Sequence, residues 1–444
     1  MTILKNGLYK TCEDFPDMQE KFSDMINIYE NSNKQDRCKN ITFVITEKCN
    51  LNCSYCYQIN KSKKTMTKEI AKQAVDFILN KELVNGYYDT NESNSVILDF
   101  IGGEPLLNID IIDYIIEYFK FKTFEINHPW AYNYHINITT NGTLFNNKNV
   151  QDFLNKNKGK VNVGITIDGN KELHDSCRKF PNGEGSYDIV KEAINTWLKY
   201  DNNPQTKITL CPSNIKYLSG AVKNVWNLGI IGTMTNCVFE EGWSINDAKI
   251  LYNQMKILAD YLLQDENYTK YMCSLFDEKI GHKEENDGNF CGGNGDMLAI
   301  GPDGKCYPCI RFMKYSLQYQ DEICIGDIWN GIDIKNKWLL KLANITRTSQ
   351  LQFDDNKKCL NCPISSGCGH CTGYNYDKCG DPNHRTTFIC DMHKARVLAN
   401  VYYWNKLYKK LKLNKVYNCN IDKQEAIKII NEKEYENLIL LCKE

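Results

Sequence analysis

The chain has almost no excess of charge of either sign. Its 444 residues include 54 lysines and arginines against 55 aspartates and glutamates, which gives a formal net charge of -1 at pH 7. Proteins that bind nucleic acids or anionic membrane surfaces usually present a basic surface. The composition therefore indicates no nucleic-acid and no membrane partner, and it favours small molecules or peptides.

Long hydrophobic runs are also missing. No segment approaches the roughly 20 apolar residues that cross a bilayer, and the opening residues, 1–6, lack a signal-peptide pattern. We therefore expect a cytoplasmic protein. The seven histidines include no pair at the spacing typical of metal ligands, and the sequence shows no internal repeat.

Cysteine, in contrast, is abundant, with 21 residues. Thiols rarely form disulfides in a reducing compartment, so cysteines that cluster along the chain indicate metal binding. One cluster lies at residues 49–56, and ten cysteines fall in the window 291–390.

The first cluster consists of Cys49, Cys53 and Cys56. Three thiolates at this spacing can hold a [4Fe–4S] cluster and leave one iron without a protein ligand, an open position at which a cofactor can bind. A zinc knuckle and three buried thiols are the alternatives. The CxxxCxxC motif resembles the signature of the radical SAM enzymes, in which the open iron binds the amino and carboxylate groups of S-adenosylmethionine (SAM).

From about residue 40 to 240, short runs rich in Val, Ile, Thr and Phe alternate with amphipathic helical stretches, a pattern typical of parallel βα units. Such units form a closed barrel, a doubly wound sheet or a partial barrel, and the pattern alone does not choose among them. The resemblance favours an α/β fold with a partial (β/α)6 barrel, in which the cysteine triplet follows the first strand. The predicted strands are Ile41–Glu47, Val96–Ile101, Tyr134–Thr139, Val161–Ile167, Lys207–Cys211 and Met234–Phe239.

Several motifs follow the predicted strands. Gly102-Gly103-Glu104-Pro105 resembles the GGEP motif that contacts the SAM amino group, whereas the Asn-Gly and Asp-Gly pairs after the third and fourth strands are also ordinary turn signals. Arg178 fits the H-D-x-x-R pattern of the family, and a guanidinium suits a carboxylate; a solvated surface arginine is the alternative. The resemblance implies that SAM is bound by Tyr55, Gly102, Gly103, Glu104, Asn141, Thr166, Asp168 and Arg178.

The order of the later cysteines resembles the SPASM domain, in which seven cysteines hold two auxiliary [4Fe–4S] clusters. Three [4Fe–4S] clusters are therefore expected in all. A zinc ribbon is the alternative for the paired CxxC motifs. By the family's connectivity, the distal cluster is held by Cys359, Cys362, Cys368 and Cys390, and the nearer one by Cys291, Cys309 and Cys371.

The nearer auxiliary cluster has no obvious fourth ligand. Cys273 and Cys306 are candidates, and an open iron is the other possibility. The spacing before Cys371 is one residue shorter than the usual pattern, so Cys379 is an alternative to it.

The domain organisation follows from these regions. Met297–Gly301 and Lys305–Cys309 flank a Pro-Asp-Gly turn and predict a hairpin inside the cysteine-rich region. The predicted units are an N-terminal helical extension (1–39), the partial barrel (40–240), a helical bridge (241–290), a small cysteine-rich iron–sulfur SPASM domain (291–395) and a C-terminal helical tail (396–444).

The resemblance implies reductive cleavage of SAM to a 5′-deoxyadenosyl radical that abstracts hydrogen from a substrate. Residues 362–376 and 387–396 resemble maturases of cysteine-rich ribosomal peptides, which favours a thioether crosslink between a cysteine sulfur and a carbon in a precursor peptide. Anaerobic sulfatase maturation is the main alternative, although Ile101 and Ile310 depart from its motifs. Peptide epimerisation, C–C crosslinking and a non-catalytic iron–sulfur protein are the others.

No catalytic residue is assigned beyond the cluster and the SAM site. The expected partners are the precursor peptide and an electron donor such as a flavodoxin or ferredoxin. The 40 residues before the barrel are too few for the leader-binding domain of many such maturases, so leader recognition is assigned to this segment, to the tail or to a separate protein.

Overall fold

The computed structural model describes residues 38–87, 94–201, 203–240, 242–288, 291–294, 297–353, 357–386 and 389–443. The predicted N-terminal extension, 1–39, therefore lies almost wholly outside the described residues. None of the helices in the described part of the chain is long and apolar enough to cross a membrane.

Six parallel strands follow one another in chain order, and the predicted α/β partial barrel is confirmed. The first four strands are neighbours in one sheet, whereas the fifth and sixth form a second sheet with a short seventh strand. The strands are β1 (Cys38–Thr46), β2 (Ser95–Gly102), β3 (Tyr134–Thr140), β4 (Val161–Ile165), β5 (Gln205–Leu210), β6 (Gly232–Cys237) and β7 (Met272–Cys273).

The two sheets are joined by the hydroxyl of one residue on β5. Thr206 Oγ1 donates a hydrogen bond to the carbonyl of Ile165 (2.7 Å) and accepts one from the N–H of Ile167 (3.1 Å). A side chain thus replaces ladder hydrogen bonds between β4 and β5, and the barrel stays open.

Helices cross over between the strands and cover one side of the sheet. The helix predicted between the first two strands is present, and its N-cap Thr67 accepts a hydrogen bond from the N–H of Ile70. The helices up to residue 263 are α1 (Lys68–Ile78), α2 (Lys81–Val84), α3 (Ile109–Glu125), α4 (Lys148–Lys156), α5 (Lys171–Cys177), α6 (Tyr187–Trp197), α7 (Leu218–Asn227) and α8 (Ile245–Leu263).

The other, concave side of the sheet carries a row of polar side chains. Side chains alternate along a strand, and the helix-facing positions Leu98 and Ile136 are fully buried in the apolar core. The intervening positions Thr42, Asp99 and Asn137 are register partners, and Asp99 accepts hydrogen bonds from the other two, at 3.4 and 2.6 Å. This side of the sheet therefore carries polar side chains that bond to one another across the strands.

The predicted hairpin is confirmed, and it extends the barrel sheet. Its first strand, β8 (Met297–Ile300), pairs parallel with β1 and antiparallel with β9 (Lys305–Tyr307). Val44 of β1 packs with Ala299 and Tyr307 in a small apolar cluster. The sheet continues through β10 (Gly326–Asp327) and β11 (Gly331–Ile332).

The C-terminal half contains short helices and one long one. The long helix, α13, donates from Tyr402 Oη to Asp260 of α8 (2.6 Å). The helices are α9 (Lys337–Ala343), α10 (Arg347–Leu351), α11 (Lys357–Leu360), α12 (Thr372–Cys379), α13 (Cys390–Lys410), α14 (Lys423–Ala426) and α15 (Glu432–Leu441).

Two features of the chain bear on the predicted units, which stay predictions. The boundary at 395/396 falls inside α13, because a cysteine signal and a helical signal meet there along one continuous helix. In the predicted helical bridge, 241–290, the α-helix ends at Leu263 and is followed by a 3-10 segment and by β7.

Candidate active site

The cysteine triplet lies in the loop directly after β1. All three thiols are half-buried. Burial raises the pKa of the Cys53 thiol to about 11; Arg178 opposes this, and the charges of Cys56 and Cys49 add to it. The three thiols thus lie near one another.

Within the described ranges, no group of three or more His, Cys, Asp or Glu side chains forms a site that could hold one metal ion. The choice between iron–sulfur clusters and zinc therefore stays a prediction from the sequence.

Gly103 positions the cluster loop against the end of β2. Its N–H donates to the Thr46 carbonyl (2.8 Å), and a Cβ on this residue would lie 2.2 Å from the carbonyl oxygen of Lys48. Gly102 approaches Thr46 just as closely. Only glycine fits such an approach, so the paired glycines hold the loop that carries the thiols.

Glu104 joins the ends of β2 and β3. Its buried carboxylate accepts hydrogen bonds from Thr140 Oγ1 (2.6 Å) and from the N–H groups of Asn141 (2.8 Å) and Leu106 (3.1 Å). Burial raises its pKa, and these donors oppose the shift. The structure thus gives Glu104 a scaffolding role, and its contact with SAM stays a prediction.

Two other predicted SAM-binding residues lie at the same edge. Asn141 Nδ2 donates to Asn50 Oδ1 (2.9 Å) and lies 3.9 Å from the Sγ of Cys49. The N–H of Thr166, a buried residue just past β4, donates to the Thr140 carbonyl (3.0 Å). Asn141 therefore borders the cluster loop, and Thr166 lies beside the end of β3.

Arg178, Asp168 and Tyr55 form a buried ion pair capped by an aromatic ring. Arg178 Nε donates to Asp168 (2.7 Å), the Tyr55 hydroxyl donates to the same carboxylate, and the guanidinium lies 5.5 Å from the Tyr55 ring centroid. Burial raises the pKa of Asp168, but Arg178 and Tyr55 outweigh it and hold that pKa below its usual range. Because Arg178 is buried, the surface alternative is wrong.

The ion pair faces the cluster loop. Arg178 Nη1 lies 3.9 Å from the Sγ of Cys53. Asp168 is held from behind, since it also accepts from the N–H of Thr209 (3.2 Å) and donates its own N–H to His174 Nδ1 (3.3 Å). A fixed cation beside a cluster can receive an anionic group such as a carboxylate.

Lys207 is a candidate that the motifs did not indicate. Lys207 lies on β5, and its side chain keeps contact with solvent. Desolvation by the surrounding protein lowers its pKa, the charge of Arg178 lowers it further, and the charge of Asp168 raises it. The sequence signal that could have indicated Lys207 is strand alternation, which places it on the face of β5 opposite the buried Ile208.

All seven predicted auxiliary ligands line a single cavity of about 1180 Å³. After burial, the thiolates of Cys291 and Cys371 are the largest causes that raise the pKa of Cys309. Burial raises the pKa of Cys359 and Arg385 opposes this shift. The charges of three other cysteines also raise this pKa: Cys390, Cys368 and Cys362. The assignment of the thiols to two clusters stays a prediction.

The group of three has room between its sulfurs. A Cβ placed on Gly293 would lie 3.5 Å from the Sγ of Cys291 and 3.8 Å from the Sγ of Cys309. The glycine leaves this space free at the inner surface of the cavity. The donor set and the space therefore fit an iron–sulfur cluster.

The alternative ligands lie elsewhere. Cys371 lines the cavity, whereas Cys379 is exposed and bonds to the Asn375 carbonyl (3.3 Å). The Sγ of Cys273 lies 3.9 Å from Thr235 Oγ1 on β6. Burial raises the pKa of Cys306, and the charges of Cys324 and Asp327 raise it further. Neither candidate for an eighth cysteine is among the described residues that line the cavity.

Arg311 links the two cysteine regions. Its Nη2 lies 2.5 Å from Glu240 Oε1, and its guanidinium lies 4.9 Å from the ring centroid of Tyr57, which follows Cys56. Its charge lowers the pKa of Cys371, against the larger effect of burial. The cavity therefore lies close to the first cluster loop.

Comparisons with known proteins agree with this site. The model of the radical SAM superfamily matches residues 43–212. An uncharacterized protein of Methanocaldococcus jannaschii is 34% identical over 197 residues, 44% of this chain and 61% of that protein, so the match spans less than two thirds of the relative.

Two relatives match over most of both chains. The radical SAM cyclopropyl synthase TigE of Paramaledivibacter caminithermalis is 25% identical over 82% of this chain and 74% of its own. A cysteine-type anaerobic sulfatase-maturating enzyme of Clostridium perfringens is 24% identical over 78% of this chain and 91% of its own.

Solved structures share the fold. Native anSMEcpe with bound AdoMet and Cp18Cys peptide has a TM-score of 0.63 at 19% identity and covers 84% of this chain and 99% of its own. Streptococcus suis SuiB bound to the precursor peptide SuiA has a TM-score of 0.54 at 16% identity, and the match covers 82% of this chain and 79% of SuiB. With the cysteine loop after β1 and the open parallel barrel, the family match shows a radical SAM domain at residues 43–212, and the solved structures show that the fold is shared.

Proposed function

We propose that this protein is a radical SAM peptide maturase that modifies a cysteine-containing precursor peptide. The observation that carries the proposal is the place of the Arg178–Asp168 pair, which lies beside Cys53 where the parallel strands end. The polar concave face of the barrel opens from that edge. In parallel barrels the loops after the strands carry the chemistry.

The proposed cofactors are SAM and three [4Fe–4S] clusters. Cys49, Cys53 and Cys56 would hold the first cluster, and the seven thiols of the cavity the other two. When bound, the first cluster and SAM would supply the radical chemistry, a 5′-deoxyadenosyl radical for abstraction of a substrate hydrogen atom. The chain's own contribution is a fixed guanidinium at Arg178, whose orientation Asp168 maintains.

A peptide substrate is supported by the shape of the site and by the solved neighbours. The concave face carries exposed polar side chains such as Thr139 and Asn162, which suit the polar groups of an extended chain. Both neighbours are described with a peptide bound. An electron donor such as a flavodoxin or ferredoxin and a leader-recognition protein complete the proposed set of partners.

The proposed product is a thioether between a substrate cysteine and a carbon atom. Its support is the likeness of residues 362–376 to maturases of cysteine-rich peptides. Ile101 and Ile310 also depart from the motifs of sulfatase-maturing enzymes.

The test is anaerobic co-expression with each short cysteine-containing peptide encoded beside this gene, followed by thiol alkylation and fragment mass spectrometry. A thioether removes two hydrogens and leaves the linked cysteine unalkylated. A C–C crosslink also removes two hydrogens but leaves the thiol free. An unchanged mass with deuterium uptake from heavy water indicates epimerisation.

Sulfatase maturation is the second candidate, because the clostridial relative with that name matches 78% of this chain. It predicts conversion of a substrate cysteine to formylglycine, with loss of the sulfur atom from the fragment. That result on a sulfatase peptide, together with unmodified precursor peptides, would replace the thioether proposal.

The control for either activity is the full-length variant with Cys49, Cys53 and Cys56 all changed to Ala. It should lose all formation of 5′-deoxyadenosine under reducing conditions, while the iron in the cavity is retained. Continued 5′-deoxyadenosine formation by this variant would contradict the assignment of the first cluster.

A further inference from the structure

His370 lines the cavity that contains the seven cysteines. It lies in the chain between Cys368, of the group of four thiols, and Cys371, of the group of three. Its Nε2 atom is buried and has no hydrogen-bond partner among the described residues. A buried polar atom without a partner is unfavourable, so a group bound beside this nitrogen would supply the partner that the described residues do not.

The other ring nitrogen is occupied. Burial lowers the pKa of the His370 imidazole, and a hydrogen bond between the ring and the backbone of Cys368 opposes this shift. Since Nε2 has no partner, the donor is Nδ1–H, and the Nε2 lone pair is left pointing away from that bond. Imidazoles that bind metals show the same arrangement, with one nitrogen bonded to a backbone carbonyl and the other to the metal.

The other histidine that lines the cavity is different. His393 Nε2 lies 2.6 Å from the carbonyl oxygen of Ile364. It is therefore already satisfied within the protein. Of these two histidines, His370 is the one whose ring nitrogen is available.

The cavity lacks one thiolate for two complete clusters. Cys359, Cys362, Cys368 and Cys390 are sufficient for one cluster of four irons. The group of Cys291, Cys309 and Cys371 leaves the fourth iron of the other without a thiolate, and no further cysteine is among the described residues lining the cavity.

We propose that His370 Nε2 binds this fourth iron. The bond uses the lone pair of a neutral imidazole, so no proton or electron is released when it forms. The inference rests on the auxiliary clusters of the proposed function, and it is independent of the substrate and of the bond formed.

A histidine ligand changes the properties of the cluster. Neutral imidazole in place of anionic thiolate raises the reduction potential of an iron–sulfur centre. The cluster held by Cys291, Cys309 and Cys371 is then the more easily reduced of the two. It is also closed at rest, so a substrate thiol would reach this iron only by displacing His370.

The test uses the full-length variant with Cys49, Cys53 and Cys56 changed to Ala, so that only the auxiliary clusters contribute signals. The protein is prepared with and without ¹⁵N-histidine, loaded with iron and sulfide, reduced, and measured by pulsed EPR. We expect a nitrogen coupling on one cluster that changes with the isotope. Its absence in protein that contains both clusters would overturn the proposal.

Three further changes assign the coupling to His370. His370→Cys should abolish it, keep the iron content and lower the midpoint potential of one cluster. Cys309→Ala should abolish it together with that cluster, whereas His393→Gln should leave it in place. A coupling that survives His370→Cys would overturn the proposal.

Iron analysis separates the two levels of inference. Protein that folds but binds no iron in the cavity would overturn the auxiliary clusters and, with them, the role of His370. Protein with both clusters and no histidine coupling would overturn the role of His370 alone.

Discussion

At the scale of single residues, the site contains two buried charged groups, Asp168 and Arg178, that stabilise each other. Asp168 and Arg178 are both buried, and burial disfavours the charged form of each. Their mutual attraction and the hydrogen bond from Tyr55 offset that effect. Removal of one partner from such a pair strongly destabilises the folded protein, because the other partner remains as an uncompensated buried charge.

Asp168→Asn should therefore lower the free energy of unfolding by about 3–5 kcal/mol. The pKa of Asp168 is depressed in the folded state, so its stabilising contribution is present above the pKa of an unfolded aspartate, about 3.9. It is lost as the pH falls through the folded value. Denaturant unfolding at pH 7 and at successively lower pH measures both effects.

Exposed Asp188→Asn is the matched control, since its partner Lys171 is also exposed, and it should leave stability nearly unchanged. A gap between wild type and Asp168→Asn that grows on acidification would contradict the assigned pKa.

At the scale of elements, the cluster loop depends on a close backbone contact. Gly103→Ala should push the loop away from β2, because the added Cβ would lie 2.2 Å from a backbone oxygen. We expect loss of the first cluster and of 5′-deoxyadenosine formation, with the cavity iron retained. Iron analysis and SAM cleavage assays measure this.

Gly220→Ala is the matched control for that change. Gly220 lies in α7, and a Cβ there would have no neighbour within 4 Å. Alanine in a helix is more favourable than glycine by about 1 kcal/mol, so this variant should be at least as stable and fully active. Equal activity of the two variants would contradict the role of the close contact.

The junction of β4 and β5 is the second element that a single side chain holds. Thr206→Val removes a buried hydroxyl that both donates and accepts, and it should lower the free energy of unfolding by roughly 1–3 kcal/mol. Thr206→Ser keeps the hydroxyl and should be closer to wild type. Equal losses in the two variants, measured by denaturant unfolding, would show that the methyl group matters instead.

At the scale of the whole molecule, the two cysteine regions belong to one continuous structure. β8 pairs with β1, the Tyr57 ring packs under Arg311, and α13 packs on α8. The described residues of the barrel therefore contact the region that contains the auxiliary cavity directly.

Cys359→Ala with Cys362→Ala should remove the distal cluster and leave the other two. We expect iron to fall by about four atoms per chain while reductive SAM cleavage continues. Iron analysis and EPR of the reduced protein measure the change. Loss of all cavity iron would show that the two groups of thiols do not load independently.

Much of the architecture was predictable because the signals are local. Short β-branched runs predicted the six strands, and the Pro-Asp-Gly turn predicted the hairpin. The end of α8 at Leu263 and the continuation of α13 past residue 395 were not predictable in the same way. The end of a helix depends on what packs against it. Cysteine spacing alone also left Cys371 and Cys379 as alternatives.

The sequence by itself determined the chemistry that is possible: three thiols in one loop, seven in another region, and the strands that separate them. Tertiary structure alone decided which groups meet. It buried Arg178 against Asp168, gave Glu104 its backbone donors, and kept Cys273 and Cys306 away from the cavity while His370 entered it. The physical reason is that spacing along a chain limits only near neighbours, whereas the burial and partners of a side chain depend on segments distant in sequence.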